Sequence, residues 1–294
     1  MTQGQADELR GGSRSPQRGS LDAGLYPMAG GVGQRPSLVL LERVASTMDA
    51  ARRLALMDPR IDGLVVLGDL QERGRGRFSR SWLAPPGSGL TFSVVLRPRI
   101  EESQQLWAMA GVGVASGVQR LGVDVGLKWP NDVLVAGRKL CGILVEASWS
   151  GNVPQHAVIG VGCNVNLDVE RVPGIADTAT SLSRELGHPV SRLGVLHALL
   201  EGLSEAGRLL ARDPVALLQR YRAVCVVRGR RVIVTAGGSP ALRGVVLDVD
   251  QDGCLVLRDE AGTVHRLAAG EVSLIMPPAG DDRPSRGRPS GDRR

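Results

Sequence analysis

The chain has 294 residues, 43% of them hydrophobic but only 3% aromatic, and a formal net charge of +6. That length allows one large domain with a smaller partner. Residues 1–36 hold four Arg against three acids and residues 277–294 five Arg against three, so +3 remains for the middle, too little for the concentrated stripe of a nucleic-acid binder.

Cys141, Cys163, Cys225 and Cys254 are far apart, with no CxxC pair and no clustered His, which argues against a zinc site and for reduced thiols. With no apolar leader and no window of membrane-spanning length, the expectation is a cytoplasmic protein without a membrane partner. Residues 1–36 and 279–294 are rich in Gly, Ser, Arg and Pro without hydrophobic period and are predicted as disordered extensions.

In chain order, SLVLLERVASTMDAARRLALM predicts a strand, a helix cap at Ser46/Thr47, and a helix with Met48, Ala51, Leu54 and Ala55 on its apolar side. GLVVLGDLQ is a strand entering the run ERGRGRFSRSW. GLTFSVVLRP leaves it as another, with Leu90, Phe92, Val94 and Leu96 on one face and Thr91, Ser93 and Val95 on the other. SQQLWAMAGVGVASGVQRLG reads as a buried helix of small residues ending near Gly122. Strands follow in VGLKW, in VLVAGRKLCGILVEA as a hairpin turning near Gly137, and in HAVIGVGCNVN. Residues 191–222 are helical, with Leu196, Leu199, Leu203 and Leu210 along one side.

After Arg222 come the short strands VIV, GVVLDVDQDGCLVLRD and GTVHRLAAGEVSLI, with a hairpin turn at Asp252/Gly253. The expected architecture is α+β: a mixed sheet with helices over residues 37–224, then a small SH3-like barrel over 225–278.

Four stretches carry chemistry. Gly74 and Gly76 alternate with Arg75 and Arg77; the glycines permit close backbone approach, and the arginine forks bind carboxylate or phosphate, a combination suited to a mobile clamp on an anion. A solvated loop or a nucleic-acid patch is the alternative, although the flanking strands tether the run to a sheet. KWPND, residues 128–132, ends a strand in a turn that displays Asn131 and Asp132, as an Asx cap or as ligand contacts. Lys139 stands seven residues after Asp132 and just before Gly142, as an ordinary turn lysine or as a cation for a ligand brought close by the glycine. GVGCNVN, from Gly160 to Asn166, is either a tight bend or a ligand edge.

Taken in order, STMDAA, QERGRGRFSRSW, KWPND, RKLCGILVE and GVGCNVN closely resemble the biotin protein ligases, also called biotin–[acetyl-CoA-carboxylase] ligases, over roughly residues 38–276. The resemblance implies a class II synthetase-like catalytic domain and two reactions: biotin and ATP give biotinyl-5′-adenylate, and the biotinyl group then passes to a lysine of a biotin carboxyl-carrier domain. It implies biotin contacts from Ser46, Thr47, Met48, Gln71, Gly74, Arg75, Gly76, Arg77, Lys139, Gly142 and Gly160. It implies nucleotide contacts from Arg75, Arg77, Trp82, Lys128, Asn131, Asp132, Lys139 and Asn164.

Lys139, Arg75 and Arg77 are the catalytic candidates, because a carboxylate attacking a phosphate needs cations to screen the two anions. Mg²⁺ accompanies ATP, with no ligand residue assigned. Phe78, Ser79 and Met48 depart from the family pattern, which carries a small or basic residue, a glycine and an asparagine there. No helix-turn-helix pattern precedes residue 37, so a monofunctional ligase without DNA binding is expected, as a monomer or weak homodimer. All the biotin motifs precede residue 165, so the C-terminal part is expected to serve ATP or the carrier more than biotin. A lipoate–protein ligase and a nucleic-acid-binding protein are the rival readings.

Overall fold

The computed structural model describes residues 38–82, 84–235 and 240–274; the expected extensions 1–36 and 279–294 lie outside the described residues. Strand β1 (Leu38–Val44) leads into helix α1 (Thr47–Met57), then β2 (Val65–Gln71) and β3 (Gly89–Leu96). A short α2 (Ile100–Ser103) and α3 (Leu106–Gln119) precede β4 (Gly126–Lys128), β5 (Asp132–Val135), β6 (Arg138–Ser150) and β7 (Val153–Asn164). Helices α4 (Leu182–Leu186), α5 (Arg192–Arg212) and α6 (Pro214–Val224) complete this part.

The seven strands form one sheet in the order β1-β2-β3-β7-β6-β5-β4, parallel between β1 and β2 and antiparallel elsewhere. Both faces are covered. On β3, Leu90, Phe92 and Val94 join the core beneath α3 and α5, while Val95 joins a second cluster with Met48, Ala51 and Ala55 of α1. The sequence alternation is therefore real, but it separates two buried faces rather than a core face from solvent.

The small residues of α3 are explained by its neighbour α5. A Cβ on Gly113 or Gly117 would lie 2.7 or 2.6 Å from the facing backbone, and one on Gly202 would lie 2.2 Å from the carbonyl oxygen of Gly113. The expected continuous helix over 191–222 is interrupted at Asp213. Pro214 cannot continue the hydrogen-bond ladder, and the Asp213 carboxylate instead caps α6 by accepting from the Ala216 N–H at 2.9 Å.

A second, antiparallel sheet contains β8 (Arg231–Thr235), β9 (Leu242–Val249), β10 (Leu255–Asp259), β11 (Val264–Leu267) and β12 (Glu271–Leu274), in the order β11-β10-β9-β8-β12. This is the expected small β domain, with Gly253 at φ +81° in the turn between β9 and β10; among the described residues β11 and β12 do not close it into a barrel. Trp129, 1% exposed, ties the two sheets by donating from its indole N–H to the Gly253 carbonyl at 2.8 Å.

Candidate active site

Three glycines on one face of two neighbouring strands make the floor of a cavity of about 420 Å³. A Cβ on Gly160 would lie 2.3 Å from Met48 Sδ, one on Gly162 would lie 2.4 Å from the Trp82 indole, and one on Gly142 would lie 3.0 Å from the same ring. Met48 and Trp82 thus rest directly on the backbone of β6 and β7. The volume is in the range of sites that enclose a small ligand.

One end of the cavity is polar. The Ser93 hydroxyl donates to Thr47 Oγ1 at 2.8 Å, and Thr47 donates to Gln71 Oε1 from both its N–H (2.8 Å) and its hydroxyl (3.0 Å). With its carbonyl oxygen engaged twice, Gln71 has amide hydrogens to offer a ligand. Ser46 occupies the N-cap of α1, yet its side chain makes no cap bond, and its buried hydroxyl has no partner among the described residues. The capping role expected for the Ser46 side chain is corrected accordingly: the residue lines the cavity with its hydroxyl buried. A buried polar atom left unsatisfied in this way is suited to a ligand bond.

The arginine run forms a small hairpin over the cavity. Gly76 N–H donates to the Arg80 carbonyl at 2.7 Å and Trp82 N–H to the Gly74 carbonyl at 2.9 Å, closing residues 74–82 on themselves. Arg75 pairs with Asp49 at 2.8 Å, Arg77 donates to the Gly270 carbonyl at 3.2 Å, and Arg80 pairs with Glu271 at 2.6 Å. Burial pushes the Arg77 guanidinium below its usual pKa, opposed by the nearby carboxylates of Asp132 and Glu271. Phe78 takes the left-handed conformation at φ 54°, which costs a side chain on the order of 1 kcal/mol, and the residue is 52% exposed.

Lys139 enters the cavity because β6 is bulged. The register against β5 shifts between Val133 and Leu134, leaving Leu140 and Cys141 consecutively buried, so Lys139 shares a face with Gly142 instead of with Cys141. Its ammonium lies 2.6 Å from Asp132 and 5.6 Å from the centroid of the Trp82 ring. Its backbone is fixed by residues far along the chain: Lys139 N–H donates to the Thr178 carbonyl at 2.8 Å, and Thr180 N–H to the Lys139 carbonyl at 2.9 Å.

The fold therefore gathers Ser46, Thr47, Met48, Gln71, Arg75, Gly76, Arg77, Trp82, Lys128, Asn131, Asp132, Lys139, Gly142 and Gly160 around one cavity. Gly74 and Asn164 do not line it. Gly74 sits at the base of the lid, where a Cβ would lie 2.5 Å from the Trp82 carbonyl oxygen, and Asn164 is buried and donates to the Thr180 carbonyl at 3.0 Å. Asn131 braces β6, donating to the Ile143 carbonyl at 3.0 Å.

Sequence reasoning missed Ser93 and, more consequentially, the wall made by Gly270, Glu271, Val272 and Ser273 of the C-terminal sheet. No motif marks that wall, which brings the C-terminal sheet to the same cavity as the biotin motifs. Among the described residues no cluster of three or more His, Cys, Asp or Glu could cage a metal.

Residues 40–164 match the Biotin/lipoate A/B protein ligase family and residues 228–275 the Biotin protein ligase C terminal domain. The biotin--[acetyl-CoA-carboxylase] ligase of Mycobacterium tuberculosis is 34% identical over 245 residues, 79% of this chain and 83% of that protein. The bifunctional ligase/repressor BirA of Bacillus subtilis is 31% identical, over 81% of this chain and 74% of its own length. The biotin protein ligase of Aquifex aeolicus, solved in complex with biotin and ATP, matches the structure with a TM-score of 0.67 at 28% identity, over 81% of this chain and 98% of that one. Alike in both of its parts and across most of the length of these relatives, the chain belongs to the biotin protein ligase family.

Proposed function

We propose that this chain is an ATP-dependent ligase that activates biotin as biotinyl-5′-adenylate and transfers the biotinyl group to a lysine of a biotin carboxyl-carrier domain. The observation that carries the reading is the convergence of a polar ring site (Ser46, Thr47, Gln71) and three cations (Arg75, Arg77, Lys139) on one cavity. The first group suits the ureido ring of biotin, with donors for its carbonyl and acceptors for its N–H groups. The second suits the carboxylate end, where it meets the nucleotide.

In the first step a biotin carboxylate oxygen attacks the α-phosphorus, the bond to the β-phosphate breaks, and pyrophosphate leaves. Two anions must meet, and Lys139 with the arginines screens them and stabilises charge on the α-phosphate oxygens. Partial burial of Arg77 strengthens its attraction for an anion by lowering the local dielectric. Mg²⁺ accompanying the nucleotide would add positive charge there, and Asp132, the cavity-lining carboxylate that pairs with Lys139, would be the residue to hold it. In the second step the carrier lysine nitrogen attacks the acyl carbon, the acyl–phosphate oxygen bond breaks, AMP leaves, and the nitrogen sheds a proton.

On this reading catalysis belongs to residues 37–224 and the small β domain to 225–278, a division supported by the end of α6 at Val224. The partner is the carrier domain of an acyl-CoA carboxylase, and the enzyme works in the cytoplasm as a monomer or weak homodimer, without DNA or membrane. No helix of the described residues is long and apolar enough to cross a membrane.

The test is incubation of the purified protein with ATP, a carrier domain and either biotin or lipoate. A mass increase of one biotinyl group on one carrier lysine is expected, and labelling by lipoate alone would overturn the assignment. Sedimentation checks the oligomeric state, and titration with duplex DNA at physiological salt checks the absence of saturable binding.

A further inference from the structure

The lid is held from two sides, and one of them lies outside every motif. On the α1 side Arg75 meets Asp49. On the other, the Gly270 carbonyl and the Glu271 carboxylate, consecutive acceptors of the C-terminal sheet, meet Arg77 and Arg80. The spacings match: Arg77 and Arg80 are brought together by one 3₁₀ turn, in which the Arg80 N–H donates to the Arg77 carbonyl at 3.2 Å. Val272, next along β12, is 2% exposed and anchors the strand in the main hydrophobic core, so the acceptors stand on a fixed element. Because residues 74–82 are closed on themselves by the Gly76–Arg80 and Trp82–Gly74 hydrogen bonds, holding Arg80 holds the hairpin as a unit.

We propose that Glu271 is a positioning residue of the lid: acting through Arg80, it seats the hairpin against the C-terminal sheet and slows escape of whatever the cavity retains. That the retained species is biotinyl-5′-adenylate rests on the function proposed above; the seating itself does not. Glu271 needs no contact with the reacting atoms. Arg80 is 68% and Glu271 34% exposed at the side chain, so the pair is screened by water and its effect is modest, about two- to fivefold in a rate or equilibrium. A competing role is also chemically open to this carboxylate: drawing Arg80 away from a bound phosphate. The two roles predict opposite signs, since removing a competitor would slow release and removing a seat quickens it.

The experiment uses the full chain with Glu271→Gln, Arg80→Gln, and the exchange Arg80→Glu with Glu271→Arg. The first measurement needs no ligand: the rate of chymotryptic cleavage after Phe78, which is exposed at the lid tip. Each single variant should be cut about two- to fivefold faster at unchanged Tm, and the exchange should restore the wild-type rate. The second is dissociation of preformed biotinyl-5′-adenylate, which should quicken by the same factor in Glu271→Gln and recover in the exchange. Raising the salt to about 1 M should erase the difference between wild type and variant, because the Debye length falls to about 3 Å.

Unchanged cleavage and release in Glu271→Gln, slower release, or an exchange that restores neither rate would each overturn the proposal. Faster cleavage in a protein whose wild type retains no adenylate would uphold the seat and sink the functional reading instead.

Discussion

The two sheets meet at one cavity but contribute to it differently. The seven-stranded sheet supplies floor and charge through the backbone and side chains of its own strands and loops: the Gly142–Gly160–Gly162 platform, the bulge that re-aims Lys139, and the hydroxyl–carboxamide chain from Ser93 to Gln71. The five-stranded sheet supplies a wall at Gly270–Ser273, a carbonyl for Trp129 and a seat for the lid, with backbone acceptors and a single carboxylate. Chemistry placed on strands depends on alternation and register, so it is intolerant of added bulk and of lost charge. Support placed between sheets depends on docking, so it yields in smaller steps.

That contrast can be broken by substitution, beginning where the largest loss is expected. Lys139→Ala should slow adenylate formation by roughly a hundredfold or more, the size expected for removing one preorganised stabiliser of developing charge. Its fold should persist, because beyond its ion pair with Asp132 the side chain packs over Gly142 and Trp82 at the cavity and not in the core. Pyrophosphate release at the wild-type rate would remove Lys139 from the mechanism.

Arg77→Gly comes next. It deletes both a lid cation and the bond to the Gly270 carbonyl, so adenylate should still form but dissociate roughly ten- to a hundredfold faster, as for loss of a charged hydrogen bond. Biotin on the lysines of a bystander protein is the accompanying readout; unchanged dissociation would deny the lid a retaining role.

Gly162→Ala should weaken biotin binding by about tenfold, since the new methyl lies 2.4 Å from the Trp82 ring and forces the ring and the lid base to move. Calorimetric titration measures it, and wild-type affinity would show that the platform tolerates bulk after all.

The smallest effect belongs to the docking contact. Trp129→Phe keeps the buried ring but leaves the Gly253 carbonyl without its donor, at a cost of about 1–2 kcal/mol in denaturant unfolding. A loss as large in ligand binding as in stability would mean that the two sheets are not as separable as this ranking assumes.

Much of this was legible along the chain, and some of it was not. Alternation on β3, the small residues of α3 and the Ala136/Gly137 turn, whose φ values are 46° and 81°, are local consequences of local residues. The break between α5 and α6 was also written locally, in Asp213–Pro214, where an Asx cap before a proline outranks the leucine period. The idle Ser46 hydroxyl was not legible: Ser at an N-cap position normally caps, and only burial against the cavity shows that this one does not.

By itself the sequence determined most of the order of elements, because that is set by residue type and short-range spacing, while the lid arginines and the glycine, lysine and polar positions of the cavity were legible only through the resemblance. Only the tertiary structure decided that Thr178–Thr180 clamps the backbone of Lys139 and that Arg77 and Arg80 meet Gly270 and Glu271. These partners stand from about 40 to over 190 residues apart in the chain. Spacing along a chain carries no information about which surfaces dock, since that depends on the packed shapes of two whole sheets and on the burial that joins them.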